Sequence, residues 1–108
     1  MEKITLCYAV FPGIANAFGG LTRISPSGKV SILINTGRTD EEQKRSLKHE
    51  FSHIILGHLW DDRIHGEDLS YIDDHPEVEE EADRYADQMT DETLAELVSG
   101  LIGETVYL

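Results

Sequence analysis

Two histidines and a glutamate, His49, Glu50 and His53, form a His-Glu-x-x-His run whose residue types and spacing suit a metal ion. On an α-helix, residues four apart lie on one face, separated by about 6 Å of rise. Two imidazoles so placed can each aim a ring nitrogen at one ion. Glu50 follows His49 directly, so its carboxylate sits beside the ion's open side. Zinc suits the arrangement, because it takes nitrogen and oxygen ligands tetrahedrally and imposes no geometry of its own. A metal held this way lowers the pKa of a bound water to about 7 and polarises a carbonyl oxygen. Glu50 would take the water's proton and pass it to a leaving amine. The chemistry requires a helix at this point and a third protein ligand elsewhere.

The helix is well signalled. Gly37 ends a strand, and Thr39 with Glu42 matches a Ser/Thr-x-x-Glu capping box. Asp40, Glu41 and Glu42 crowd the first turn, where the helix dipole favours anions. Leu47, Phe51, Ile54, Ile55 and Leu59 then recur at helical spacing up to Trp60, beside the face that carries His49, Glu50 and His53. This stripe is core, and Trp60 is expected to pack at the helix end.

Before it, residues 3–11 are rich in β-branched and aromatic types and predict a strand. Leu21–Ser25 and Lys29–Asn35 flank the turn-forming Pro26-Ser27-Gly28 and predict a hairpin. In its second arm Val30, Ile32 and Ile34 alternate with Ser31, Leu33 and Asn35, giving one firmly apolar face. After the motif, residues 61–75 have no period and predict a long loop. Pro76 suits the first turn of a new helix, capped by Asp74 or His75, with Val78, Ala82, Tyr85, Ala86 and Met89 as its stripe. Thr90 starts a last helix with Leu94, Leu97, Val98 and Leu101 inward, unless 77–100 is one bent helix; Thr105–Leu108 is too short to assign.

The helix beginning at Pro76 offers Glu79, Glu80 and Glu81 in a row, although such a triplet by itself is more often a solvated face. Glu79 borders the Val78/Ala82 stripe and is the preferred third ligand, with Glu80 the fallback. Asp83, four residues on, can accept the free N–H of a ligand histidine. Glu81 points nearly away from that face. Tyr71, His65 and His75 lie in the loop that could reach over the site and stabilise an oxyanion, although His65 and His75 also fit plain loop surface. His58, next to Gly57, fits a helix C-terminal cation.

Length and composition set the frame. A chain of 108 residues with 40% hydrophobic and 28% charged content fits one globular domain, residues 1–108. No apolar run approaches the roughly 20 residues of a membrane span, and the start lacks a signal-peptide layout, so the expected setting is the cytoplasm. The lone Cys7 is expected to be a buried, inert thiol. Net charge is −12, and from Asp61 to Glu96 the only bases are Arg63 and Arg84. That surface repels phosphate backbones, which argues against direct nucleic-acid binding.

Two blocks of the chain resemble the ImmA/IrrE family of small metallopeptidases. The first is Ile32-Leu33-Ile34-Asn35 with Arg45 through His58, centred on His49-Glu50-Phe51-Ser52-His53. The second is Glu79-Glu80-Glu81-Ala82-Asp83-Arg84-Tyr85-Ala86, similar to that family's Glu-x-x-Ala-Asp/Asn-x-aromatic-Ala signature. The resemblance implies that His49, His53 and Glu79 are zinc ligands and Glu50 the catalytic base. It implies an α+β zincin-like fold: a small antiparallel sheet of about three strands on the active-site helix and one or two more. It also implies a protein substrate, often a helix-turn-helix repressor of a mobile element or stress response. Ser46, Lys48, Phe51-Ser52 and Asp87-Gln88-Met89-Thr90 depart from the usual family pattern.

The expected function is thus a zinc-dependent metalloendopeptidase acting on a regulatory protein, its substrate lying extended along an edge strand near Lys29–Asn35. The alternative is a non-catalytic metal-binding regulator that keeps the fold and works by binding a partner. A third possibility is a plain structural domain whose motif is accidental.

Overall fold

Val30, Ile32 and Ile34 share one side of a strand, and all three are buried. In the computed structural model, which describes residues 3–60 and 75–108, that strand is an interior one. The sheet runs β2 (Gly20–Ile24), β3 (Val30–Asn35), β1 (Ile4–Ala9), β4 (Ile102–Tyr107). β2 and β3 form the expected antiparallel hairpin, closed by Gly28 N–H on the Ser25 carbonyl with Gly28 at φ 89°. β1, however, pairs in parallel with both β3 and β4.

The α+β class therefore holds, but the sheet is four-stranded and mixed where about three antiparallel strands were expected. Parallel pairs need long crossovers. The β1-to-β3 crossover contains a 3-10 turn (Gly13–Ala17) and β2; between β3 and β4 lie the three α-helices of the described residues. Residues 102–107, which run into the Thr105–Leu108 tail too short to assign from sequence, form a strand because β1 offers them a partner.

α1 (Asp40–Ile55) starts on Thr39, whose hydroxyl accepts from the Glu42 N–H. It stops earlier than the apolar stripe suggests. Leu56 is its C-cap, and Gly57 takes φ 73°, a left-handed value that suits glycine. A 3-10 turn, His58–Trp60, follows. Leu59 is buried behind the turn, whereas Ile55 and Trp60 are exposed. α2 (Pro76–Gln88) and α3 (Asp91–Leu101) are separate helices, the second capped by Thr90 on the Thr93 N–H.

Phe51 lies wholly buried at the centre of a core that also contains Ile4, Leu6, Ile32, Ile34, Leu47, Ile54, Val78 and Leu94. α2 turns Val78, Ala82 and Ala86 inward and packs on α1. Alanine at two of these three positions lets the helices approach closely, which brings the acidic face of α2 up to the histidines. No helix among the described residues is long and apolar enough to cross a membrane. Cys7 is free and half-buried.

Candidate metal centre

His49 and His53 are one turn apart on α1, and their Nε2 atoms stand 3.1 Å apart. Glu79, on α2, reaches both of them. Its Oε2 lies 2.9 Å from His49 Nε2, and its Oε1 lies 2.8 Å from His53 Nε2. Glu80 turns outward to Arg84 at 2.7 Å, so the choice between the two glutamates falls to Glu79. Asp83 takes the outer nitrogen of His49, with Oδ1 2.7 Å from Nδ1.

His49, Glu50 and His53 each offer a ligand atom within 4.8 Å of the others, a group that could hold a metal ion. The tightest cluster swaps Glu50 for Glu79, because the Glu50 carboxylate is engaged elsewhere. Thr22 donates its hydroxyl to Glu50 Oε1 at 2.9 Å. Glu50 is only 4% exposed and Thr22 equally so. Burial pushes the Glu50 carboxyl above its ordinary range, against the lowering pull of His53, His49 and the Thr22 hydroxyl.

The converging atoms, one ring nitrogen from each histidine and both oxygens of Glu79, fit a cation. Around a tetrahedral ion with bonds of about 2.1 Å, ligand atoms stand about 3.4 Å apart. The observed separations of 2.8, 2.9 and 3.1 Å are slightly inside that spacing. The angles are equally telling. Glu79 Oε1 is buried and accepts no hydrogen bond of proper geometry, although it lies 2.8 Å from His53 Nε2. Proximity without hydrogen-bond direction is what donors aimed at a shared point produce. Without a cation, His49 is the proton holder. Burial opposes its charge, but the hydrogen bond to Glu79 and the charges of Glu50, Glu79 and Asp83 outweigh it and raise its pKa to about 9. Glu79 is correspondingly held below the usual carboxylate range: burial works against this, and the histidines His49 and His53 beside it prevail.

A cleft of about 380 Å³ opens onto this group. Its walls are Gly19 and Gly20 at the start of β2, Arg45 and Ser46 one turn before His49, and the acidic side chains of α2. Arg45 is the one lysine or arginine among its described lining residues. β2, not the Lys29–Asn35 strand, is the sheet edge beside the cleft, because β3 is flanked on both sides. Lys29–Asn35, expected to lie at a sheet edge, is therefore corrected to an interior strand, with β2 at the edge.

His58 and Glu81 sit elsewhere than their positions in the sequence suggest. His58, which fits a helix C-terminal cation by sequence, is 1% exposed. Its Nδ1 meets His53 Nδ1 at 2.9 Å, and its Nε2 meets Glu81 Oε1 at 3.0 Å. Glu81 thus reaches the histidine cluster from a part of α2 expected to face away. The one available signal was Gly57, whose left-handed turn folds the next residue back. His75, at the N-cap of α2, makes no side-chain cap bond and is not among the residues lining the cleft. His65 and Tyr71 lie outside the described residues. No family model matches the chain, and no curated protein or solved structure does either.

Proposed function

We propose that this chain is a zinc-dependent endopeptidase of the ImmA/IrrE type, acting in the cytoplasm on a protein substrate such as a helix-turn-helix repressor. One observation carries the reading: His49, His53 and Glu79 converge to 2.8–3.1 Å, with the Glu50 carboxylate beside them and a cleft in front. Zinc is the ion of choice for two imidazoles and a carboxylate with one position left open. Bound there, it supplies acidified water and polarisation of the scissile carbonyl.

The remaining work falls to the chain. Asp83 holds His49 by its outer nitrogen, so the inner one faces the site. Glu50, made more basic by burial, takes the proton of the attacking water and returns it to the leaving amine. Thr22 keeps that carboxylate in place. The substrate runs along the outer edge of β2, adding a strand. Arg45 faces the cleft and is suited to a carbonyl or carboxylate of the substrate.

The near-complete burial of Glu50 favours a second reading, a metal-binding regulator that recognises its partner without cutting it. Two measurements separate them. Purified protein should contain one equivalent of zinc by elemental analysis; no transition metal at all sinks both readings. Incubation with the repressor encoded nearest its own gene should give a discrete cut that Glu50→Gln abolishes. Binding without cutting selects the regulator, and equal cutting by the variant rules out Glu50 as base.

A further inference from the structure

We propose that His58 and Glu81 form a positioning arm that fixes the tautomer of His53 and so prepares it as a ligand; the inference rests on the metal-site reading above. The geometry is a line of three groups: Glu81 Oε1 to His58 Nε2 at 3.0 Å, then His58 Nδ1 to His53 Nδ1 at 2.9 Å. The line ends at His53 Nε2, which faces His49 Nε2 and Glu79.

Only one neutral pattern of protons on His53 and His58 satisfies both contacts of the arm. A carboxylate only accepts, so His58 Nε2 carries a proton and donates it to Glu81. In neutral His58 the Nδ1 is then bare and accepts from His53. That requires the proton of His53 on Nδ1, which leaves His53 Nε2 with a free lone pair where the cluster converges. The opposite tautomer of His58 sets two acceptors, its own Nε2 and the carboxylate, against each other.

Burial makes the arrangement binding. His53 is 0% and His58 1% exposed, so water cannot supply the missing partners. The chain reaches this geometry through Gly57, whose φ of 73° turns His58 back beneath His53. The two ligand histidines are therefore served differently. His49 is oriented by Asp83, whose side chain is 69% exposed, while His53 is oriented from inside the protein. His58 is not itself a ligand, because both its nitrogens are taken.

The test is metal affinity, measured on the full chain by competition for Zn2+ against a chromophoric chelator. His58→Phe keeps a ring but neither contact, and it should weaken binding about 10- to 100-fold at unchanged stoichiometry. His58→Asn places an acceptor near the old Nδ1 and should recover part of the loss. Equal affinity in wild type and H58F overturns the arm alone; a wild type that binds no metal overturns the arm together with the metal site. Should H58F fail to fold, nitrogen-15 imidazole spectra of the zinc-loaded wild type decide. The expected result is His58 protonated at Nε2 only and His53 at Nδ1 only. A His58 protonated at Nδ1, alone or with Nε2, overturns the proposal.

Discussion

Thr22 on β2 donates its hydroxyl to Glu50 on α1 at 2.9 Å, tying the sheet edge to the carboxylate proposed as the base. Both residues are nearly buried, so no water replaces the bond when it is lost. Thr22→Val keeps the shape and removes the donor. The expected cost is about 1–3 kcal/mol, the penalty of leaving a buried acceptor unsatisfied. The Glu50 carboxyl should also rise further, because the hydroxyl is one of the groups holding it down. Denaturant midpoints measure the first effect, and the acid limb of a pH–rate profile, moved to higher pH, measures the second. Thr22→Ser should behave as wild type.

His49 sets an opposed pair of pH dependences. Its pKa in the folded chain is raised from 6.5 to about 9. A raised value means that the pairing with Glu79 stabilises the metal-free fold fully below about pH 6.5 and fades as pH rises through about 9. Glu79, held low, stays ionised throughout. Metal uptake must displace the His49 proton, so apparent affinity should climb about tenfold per pH unit from 7 toward 9 and then flatten. Thermal unfolding of the metal-free chain and zinc titrations at stepped pH give the two slopes. Uptake independent of pH would remove His49 from the ligand set.

Removing Glu79 and removing Asp83 should differ in size. Glu79→Ala deletes one of the converging trio of side chains and should lower zinc affinity more than 100-fold, on the order of several kcal/mol. Asp83→Ala leaves the trio intact. Because its side chain is 69% exposed, water can take over at His49 Nδ1, and the expected loss is about tenfold or less. Competition titrations rank the two, and the reverse order would mean that Glu79 is not the third ligand.

Gly19 and Gly20 line the same cleft but should respond oppositely to alanine. At Gly20 a Cβ would meet the Leu33 carbonyl oxygen at 3.0 Å and Ile34 Cδ1 at 3.1 Å, neither free to move within the sheet. Gly20→Ala is expected to cost about 1–3 kcal/mol, as overpacking does. At Gly19 the nearest atom to such a Cβ is the Ser46 hydroxyl, at the end of a side chain that can rotate. Gly19→Ala should keep the melting temperature while narrowing the cleft. Paired thermal melts and KM values for any cleaved peptide distinguish the two cases.

What the sequence determined by itself was everything that depends on neighbours along one element. The capping box at Thr39, the Phe51 stripe and the shared face of His49 and His53 follow from 3.6 residues per turn. So do the place of Glu79, rather than Glu80, on the side toward the histidines and Asp83's place behind His49. The hairpin was legible in the same way, from Pro26-Ser27-Gly28 and the alternation after it. The tertiary structure alone decided which elements meet. Period-two alternation says nothing of strand direction, so the parallel pairing of β1, and a β4 that exists by pairing with it, could not be read. The same limit hid Thr22 beside Glu50, 28 positions away in the chain. It also hid the arm behind His53. Glu79 and Glu81 are about 200° apart around α2, so no face of that helix taken alone could send both to one histidine cluster. They meet it because Gly57 turns His58 back under His53 and the small residues Ala82 and Ala86 let α2 approach.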